Sequence, residues 1–117
     1  MKKVNFLCYI LGISFASQAS AISCRPDVAS VCGASGCERT PSSIQSIVID
    51  EANSVVTRCD KTGCDQIPVK AEASGAMFKF GAIGNGYLIV VNILDLSFSE
   101  VATQLSTVYV KSGKCRR

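Results

Sequence analysis

The cysteines are the residues of this sequence whose type and spacing could do chemistry. Two pairs share the frame C-x-x-x-G-C plus an acidic residue, in VCGASGCE (31–38) and RCDKTGCD (58–65). Thiolates can bind zinc, act as redox pairs or join as disulfides. Neither pair has the C-x-x-C spacing of zinc or redox motifs, and the chain has no histidine. The spacing therefore predicts disulfides, with no metal and no other cofactor.

The N-terminus predicts export. MKK supplies positive charge, VNFLCYILGISFA supplies an apolar stretch, and ASA at 19–21 fits the small-residue cleavage rule. We expect a signal peptide over residues 1–21, cleaved after Ala21 or Ser23, and a bacterial protein that is periplasmic or secreted. The alternative is a degenerate lipoprotein box in AISC, in which case lipid on Cys24 would hold the protein at a membrane.

An exported domain with an even number of cysteines is typically built on disulfides. Cys8 would leave with the signal peptide, and residues 22–117 would form a single domain. Its core is small, so bridges of about 2–4 kcal/mol each would matter to its stability. The predicted disulfide cysteines are Cys24, Cys32, Cys37, Cys59, Cys64 and Cys115.

Two segments must position these cysteines. Residues 22–43 contain two prolines and many small residues without sustained periodicity, so we expect an irregular, disulfide-held segment. Over residues 44–115, short β-rich runs alternate with turn signals, which predicts an antiparallel meander of about seven strands. The fold class is therefore all-β, a small barrel or sandwich. YLIVVNI (87–93) is apolar on both faces, which predicts a central, covered strand.

The loop DKTG decides where Cys59 and Cys64 point. Asp at the first turn position and Gly at the fourth favour a type I turn with a glycine bulge, a three-residue loop. That register places Val55, Cys59 and Ile67 on one face and sends Arg58 and Cys64 to the other. The two sulfurs would then diverge, and the three N-terminal cysteines would pair with the three of the β region.

A four-residue loop is the alternative. Cys59 would then lie opposite Cys64 on the same face, and a local bridge could form. In that scheme Cys32 also pairs locally with Cys37, while Cys24 joins Cys115 and ties the two ends of the domain together.

Other chemistry is poorly supported. Without histidine, Ser-His-Asp and Cys-His catalytic sets are excluded. Most carboxylates fall in turns or beside cysteines, and we expect them, like the basic tail VKSGKCRR, to be solvated. Loss of Lys2 and Lys3 lowers the formal net charge from +3 to +1, and aromatic residues are few, so no nucleic-acid partner is expected. We expect no enzyme.

Several motifs resemble small exported cysteine-rich proteins of Gram-negative bacteria, a family without an assigned activity. The resemblance implies location and fold rather than function. It covers almost all of residues 22–117, and RCD-x-x-GCD is its most specific part. The motifs are SCRPD, SGCE, RCDKTGCD, SGAMFKF, SEVATQL and VYVKSGKC.

A second, weaker resemblance is to periplasmic and membrane-bound inhibitors of c-type lysozyme. Those are disulfide-stapled β-barrels with a Ser-Gly motif before an aromatic residue and a Lys-Gly motif near the C-terminus. Here Ser74 and Gly75 precede Phe78, and Lys111 stands in VKSG, whereas the tryptophan before the lysine is missing. The resemblance implies that Ser74, Gly75 and Lys111 contact a partner protein such as a lysozyme.

The sequence thus predicts an exported, disulfide-stabilised binding or inhibitory module of the bacterial cell envelope. The alternative is a structural or accessory envelope protein without a ligand site. The oligomeric state stays open.

Overall fold

A computed structural model describes residues 21–117 and is all-β, as predicted. The predicted signal peptide lies outside the described residues, apart from Ala21. None of the helical structure within 21–117 is long and apolar enough to span a membrane. The described strands are β1 Ala21–Gly33, β2 Gly36–Arg39, β3 Ser46–Asp50, β4 Val55–Asp60, β5 Gly63–Pro68, β6 Lys70–Ser74, β7 Met77–Ala82, β8 Tyr87–Asn92, β9 Ser97–Gln104 and β10 Thr107–Arg116, with a 3₁₀ turn at Ile83–Asn85.

The strands form one antiparallel sheet that curls into a nearly closed barrel. The order is β5-β4-β3-β1-β10-β9-β8-β7-β6, and β2 pairs only with β1. Strands β3 to β5 and β6 to β10 follow each other as a meander, as expected. β5 and β6 are separated by Val69 alone, so the chain passes there from its partner β4 to its partner β7. This passage brings the two ends of the sheet together.

Alternating side chains fill the barrel, because successive residues of a strand point to opposite faces. Ile47 and Ile49 in β3 and Ile89 and Val91 in β8 are fully buried, and Tyr87 at the start of β8 is 5% exposed. Leu88 on the outer face of β8 is 38% exposed, so the prediction that YLIVVNI is covered on both faces is wrong. The buried hydrophobic cluster comprises Ile22, Cys24, Ile47, Ile49, Val56, Val69, Phe80, Tyr87, Ile89, Val91, Phe98 and Cys115.

The prediction of an irregular segment over residues 22–43 is wrong for most of it. β1 is a strand of 13 residues whose Ile22 and Cys24 enter the core, and β2 follows after a two-residue turn. Pro26 is tolerated because the register with β10 shifts between Pro26 and Val28. A bulge at this point suits a residue that cannot donate to the ladder. Many of its residues are short and polar, so the sequence pattern did not predict β1. Pairing with its partner strands, rather than the strand propensity of its own residues, holds it in the sheet.

The strand count also exceeds the expected seven. Besides β1 and β2, the β-rich run CDQIPVK (64–70) is divided between β5 and β6 at Val69. β6 continues through AEAS (71–74), and the turn follows at Gly75–Ala76. Gly75 has a φ of 59°, a left-handed conformation that favours glycine.

The disulfides follow the local scheme, so the predicted long-range pairing of the N-terminal with the β-region cysteines is wrong for two of the three bridges. Cys32 is bonded to Cys37, Cys59 to Cys64, and Cys24 to Cys115. Each bond joins residues that lie directly opposite each other on paired strands.

The glycine-bulge loop expected at DKTG is also wrong. Asp60 pairs with Gly63 across a turn made of Lys61 and Thr62. Asp60 Oδ1 accepts hydrogen bonds from the backbone N–H groups of Thr62 (2.8 Å) and Gly63 (3.1 Å), and these stabilise the tight turn. The register therefore differs by one residue from the expected one, which exchanges the two faces of β4 relative to β5.

We expect the three disulfides to contribute unequally to stability. Cys24–Cys115 spans 91 residues, whereas Cys32–Cys37 spans five. In the chain-entropy account the longer loop restricts the unfolded chain more, by about 2.5 kcal/mol. Urea titration of C24A/C115A and C32A/C37A should therefore give the larger loss of unfolding free energy for C24A/C115A, which also disturbs two buried residues. Equal losses would contradict this account, and C59A/C64A, also spanning five residues, is the matched control.

Candidate functional site

One end of the barrel gathers the buried charges of the described structure. We call this end the mouth; the 3₁₀ turn Ile83–Asn85 borders it. Lys111 on β10 lies opposite Glu100 on β9, and Tyr87 on β8 lies opposite Ala102 of β9. Arg58 enters from β4, whose neighbouring position Val56 points into the core. We refer to Arg58, Tyr87, Glu100 and Lys111 as the Glu100 cluster.

Glu100 is the centre of the cluster and is 1% exposed. Arg58 grips its carboxylate with two hydrogen bonds, Nε to Oε2 at 2.7 Å and Nη2 to Oε1 at 3.1 Å. Tyr87 Oη donates to Oε2 at 2.6 Å. Such charge-assisted, bidentate contacts are stronger and more directional than neutral hydrogen bonds. They hold the carboxylate in a single orientation.

Arg58 and Tyr87 are also coupled to each other and to Glu100 by charge. The Arg58 guanidinium carbon lies 5.6 Å from the centre of the Tyr87 ring, within cation–π distance. Burial opposes the charge of Arg58, yet the hydrogen bonds and charge of Glu100 raise its pKa. Burial, the charge of Glu100 and the hydrogen bond to it together raise the pKa of Tyr87, against the opposing charge of Arg58. At neutral pH the tyrosine hydroxyl therefore stays a donor.

Lys111 is the loosely held member of the cluster. It is 8% exposed, and its Nζ lies 4.0 Å from Glu100 Oε1, beyond hydrogen-bond distance. Within residues 21–117 its ammonium group has no hydrogen-bond acceptor, while the Tyr109 ring centre lies 5.9 Å away. Burial lowers the pKa of Lys111, the charge of Glu100 opposes this, and the charge of Arg58 adds to it.

A cavity of about 380 Å³ opens over the cluster, which we call the mouth cavity. Arg58 and Lys111 are the charged residues that line it among those described, and the Glu100 carboxylate lies behind them. Two positive charges therefore meet one negative charge at the wall of an accessible space. The lining residues are Ser43, Ile44, Arg58, Asn85, Ala102, Thr103, Gln104, Tyr109 and Lys111.

The structure does not bring Ser74 and Gly75 together with Lys111. Ser74 ends β6 and is exposed, and Gly75 lies in the following hairpin turn. Lys111 shares its inward-facing row with Glu100, Ile89, Phe80 and Ala71, whereas Ser74 lies three residues along β6 and points outward. A partner that contacts both faces would have to reach around the barrel wall. Lysozyme inhibition stays a prediction.

The six cysteines of residues 21–117 are all in disulfides, so none of them offers a thiolate for a metal or for redox chemistry in this state. Within residues 21–117 no group of three or more His, Cys, Asp or Glu side chains is arranged to hold a metal ion. The chemistry of the cluster is that of fixed charges and hydrogen-bond donors, which suits recognition of an anion.

The sequence named Lys111 only through the resemblance to lysozyme inhibitors, and a contact with a partner stays a prediction. The expectation that the tail VKSGKCRR is solvated is wrong for Lys111, which is 8% exposed because it lies on the inward face of β10. Sequence reasoning did not single out Arg58, Tyr87 or Glu100 as members of a site. Arg58 was assigned to the outer face because the expected hairpin register was wrong by one residue. Glu100 was expected to be solvated, yet SFSEVAT alternates, and the parity of Phe98 places Glu100 on the apolar face. A charged residue in phase with buried aromatic neighbours is the signal that could have identified it.

Fold and cluster together define a small, disulfide-stapled antiparallel β-barrel with a cationic mouth. No protein-family model, no curated protein and no solved structure matches the chain. The resemblances to exported cysteine-rich proteins and to lysozyme inhibitors therefore stay predictions.

We expect Glu100→Gln to destabilise the protein strongly. The change keeps the volume and removes the negative charge, which leaves Arg58 and Lys111 facing each other without compensation. Breaking a buried ion pair from one side costs about 3 kcal/mol. Urea titration measures the loss. The matched control is Glu51→Gln, which removes an exposed pair with Arg117 (3.8 Å) and should cost below about 1 kcal/mol. Equal losses in the two variants would show that Glu100 is no centre of the cluster.

The raised pKa of Tyr87 predicts a loss of stability in alkali. Above about pH 10 the unfolded chain loses the tyrosine proton while the folded protein keeps it, so the free energy of unfolding falls as pH rises. Between pH 10 and 11 this residue should cost about 1 kcal/mol. Lys111 has the opposite sign because its pKa is lowered, and it is present in both wild type and Tyr87→Phe. Urea titrations of the two across this range should diverge by that amount; parallel curves would contradict the assignment.

Proposed function

We propose that this protein is an exported binding module of the bacterial cell envelope, and that its mouth cavity recognises a small organic carboxylate. The observation that carries the proposal is Lys111, a largely buried residue (8% exposed) whose ammonium group reaches the mouth cavity 4.0 Å from Glu100 Oε1, its nearest carboxylate oxygen. A charge on a largely buried side chain is ordinarily paired and hydrogen-bonded. An incoming carboxylate would supply the missing acceptor.

Charge balance supports an anion as the ligand. The bidentate contact uses the Glu100 carboxylate mainly for Arg58, with Tyr87 donating to the same group. The second cation, Lys111, is left with a longer contact on Oε1. A ligand carboxylate at Lys111 would bring the local charge to neutrality without disturbing the bonds that hold Glu100.

The lining of the mouth cavity supports an organic rather than an inorganic anion. Ile44, Ala102 and Tyr109 offer apolar surface, while Ser43, Thr103 and Gln104 offer hydroxyl and amide groups. Polar groups form the larger part of this lining, which suits a small ligand that carries a polar head. Cavities that hold small molecules typically measure about 300–1,000 Å³. The cavity volume of about 380 Å³ lies at the lower end of that range and suits a compact ligand.

Binding rather than catalysis accounts for these groups. A hydroxyl nucleophile needs a base within hydrogen-bond distance. Thr103 Oγ1 instead donates to the backbone oxygen of Gly86 at 3.3 Å. Arg58 and Tyr87 are committed to Glu100, so the cluster provides attraction and orientation rather than proton transfer.

The compartment is the second part of the proposal. Three disulfides are typical of small proteins from oxidising environments such as the periplasm or the cell exterior. The signal-like N-terminus supports the same location. An exported protein that binds small carboxylates would act as a carrier or sensor of such acids in the envelope.

Lys111→Met tests the proposal directly, because it removes the charge and keeps most of the side-chain volume. We expect benzoate and succinate to shift the amide resonances of Ser43, Thr103 and Lys111 in the wild-type protein, and benzamide to shift them less. A charged hydrogen bond is worth about 1.5–3 kcal/mol, so Lys111→Met should weaken benzoate binding by about tenfold or more. The variant should remain folded, since Arg58 and Glu100 then balance each other.

The matched control is Lys61→Met, which removes an exposed lysine from the turn between β4 and β5. It should leave carboxylate binding unchanged. If neither carboxylate shifts those resonances at millimolar concentration, the proposal fails, and the alternative of an accessory envelope protein without a ligand site is favoured.

A further inference from the structure

A second and larger cavity lies on the outside of the barrel wall. It measures about 770 Å³ and runs from the passage between β5 and β6 to the outer face of β8. The mouth cavity is lined from β4, β9 and β10, whereas this one is lined from β6, β7 and β8; Asn85 borders both. We call it the outer groove.

The outer groove forms where the chain bends between β5 and β6 and where a glycine of β7 leaves the outer face without a side chain. Pro68 cannot donate to a ladder, and Val69 turns inward, 8% exposed, with its N–H bonded to Ser54 O at 3.0 Å. At the floor, Gly81 has no side chain to fill the space. A Cβ built on Gly81 would lie 3.5 Å from Leu88 Cδ1, an ordinary contact, so the floor is bare but not crowded.

An apolar row begins in the groove and continues across the sheet. Gly81 lies opposite Leu88, Leu88 opposite Val101, and Val101 opposite Val110. Leu88 is 38% exposed and the two valines are half-buried. Neighbouring strands are about 4.8 Å apart, so the row from β6 to β9 measures roughly 14 Å. This length and width suit a single linear alkyl chain.

A lysine stands at the head of the row. Lys70 on β6 lies directly opposite Gly81, is exposed, and lines the groove. One row further, Lys79 lies opposite Glu72, and both also line the groove. Among the described residues, neither lysine is within ion-pair distance of a carboxylate. The groove thus presents two cations and one anion, with Lys70 at the end where the alkyl chain would begin.

We propose that the outer groove binds a single-chain anionic amphiphile, specifically a free fatty carboxylate. The carboxylate pairs with Lys70, and the alkyl chain lies over Gly81 and Leu88 towards Val101. The charge of Lys70 favours a ligand with an anionic head. The apolar row is narrow and has one lysine at its head, which favours a ligand with a single alkyl chain. The site is separate from the mouth cavity and does not depend on its ligand.

Gly81→Leu is the central test, because it fills the floor of the groove. The backbone at Gly81 is not left-handed and a Cβ meets no clash, so the variant should fold. Dodecanoate below its micelle concentration should bind the wild-type protein in calorimetry and shift the resonances of Lys70, Gly81, Leu88 and Val101. Losing contact with two methylene groups corresponds to about tenfold, the minimum weakening expected in Gly81→Leu. Gly33→Leu, at an open position in β1, is the control that should bind as wild type.

Charge is tested separately. Lys70→Gln should weaken dodecanoate binding by about threefold, the value of an exposed ion pair, while Lys61→Gln should not. Dodecyltrimethylammonium, which has the same chain and a cationic head, should bind far more weakly. Lys111→Met should retain dodecanoate binding, which distinguishes this site from the mouth.

Several results would overturn the proposal. Dodecanoate binding that survives in Gly81→Leu but is lost in Lys111→Met would place the fatty acid in the mouth cavity. A dimer in light scattering that Gly81→Leu dissolves would make the groove an interface between copies. Binding to phosphatidylglycerol vesicles without binding to dodecanoate would make it a membrane contact. Equal binding of the two dodecyl compounds would remove the role of Lys70.

Discussion

The buried carboxylate of Glu100 is the interaction on which the charged interior depends. It is 1% exposed, and three side chains from three other strands approach it. A charge in such a place is tolerable only when donors surround it. β8 and β10 must therefore keep their registers with β9, and β4, which reaches Glu100 from across the barrel, must keep its registers with β3 and β5. Specificity of register, rather than net stability, is what a buried charged network of this kind provides most directly.

The disulfides and the network act on the same registers. Cys59–Cys64 joins opposed residues of β4 and β5, and this pairing directs Arg58 inward. Cys24–Cys115 joins β1 to β10 in the core, on the same face of β10 as Lys111. Covalent bonds between paired strands thus fix the strands that carry the two cations. Cysteines can act as reactive groups, but in this protein their disulfides position other side chains.

The inner and outer faces of the barrel have separate chemistry. At the mouth, two cationic side chains face one carboxylate beside a compact cavity of about 380 Å³. Outside, a glycine and a bend expose apolar wall beside lysine, in a groove of about 770 Å³. Both cavities lie near the 3₁₀ turn between the end of β7 and the start of β8, where none of the described strands covers the barrel. Loops and strand ends on a rigid scaffold are where recognition is ordinarily found.

The sequence by itself determined the all-β class, the meander from β3 onward and the six oxidised cysteines, because alternation, turn residues and cysteine number are local signals. It did not single out Arg58 or Glu100, and it predicted a solvated tail where Lys111 is largely buried. Only the tertiary structure decided the pairing of the cysteines, the strand character of 22–33 and the burial of the charges. The physical reason is register: a shift of one residue exchanges the two faces of a strand, and the energies that choose between registers come from partners distant in the chain.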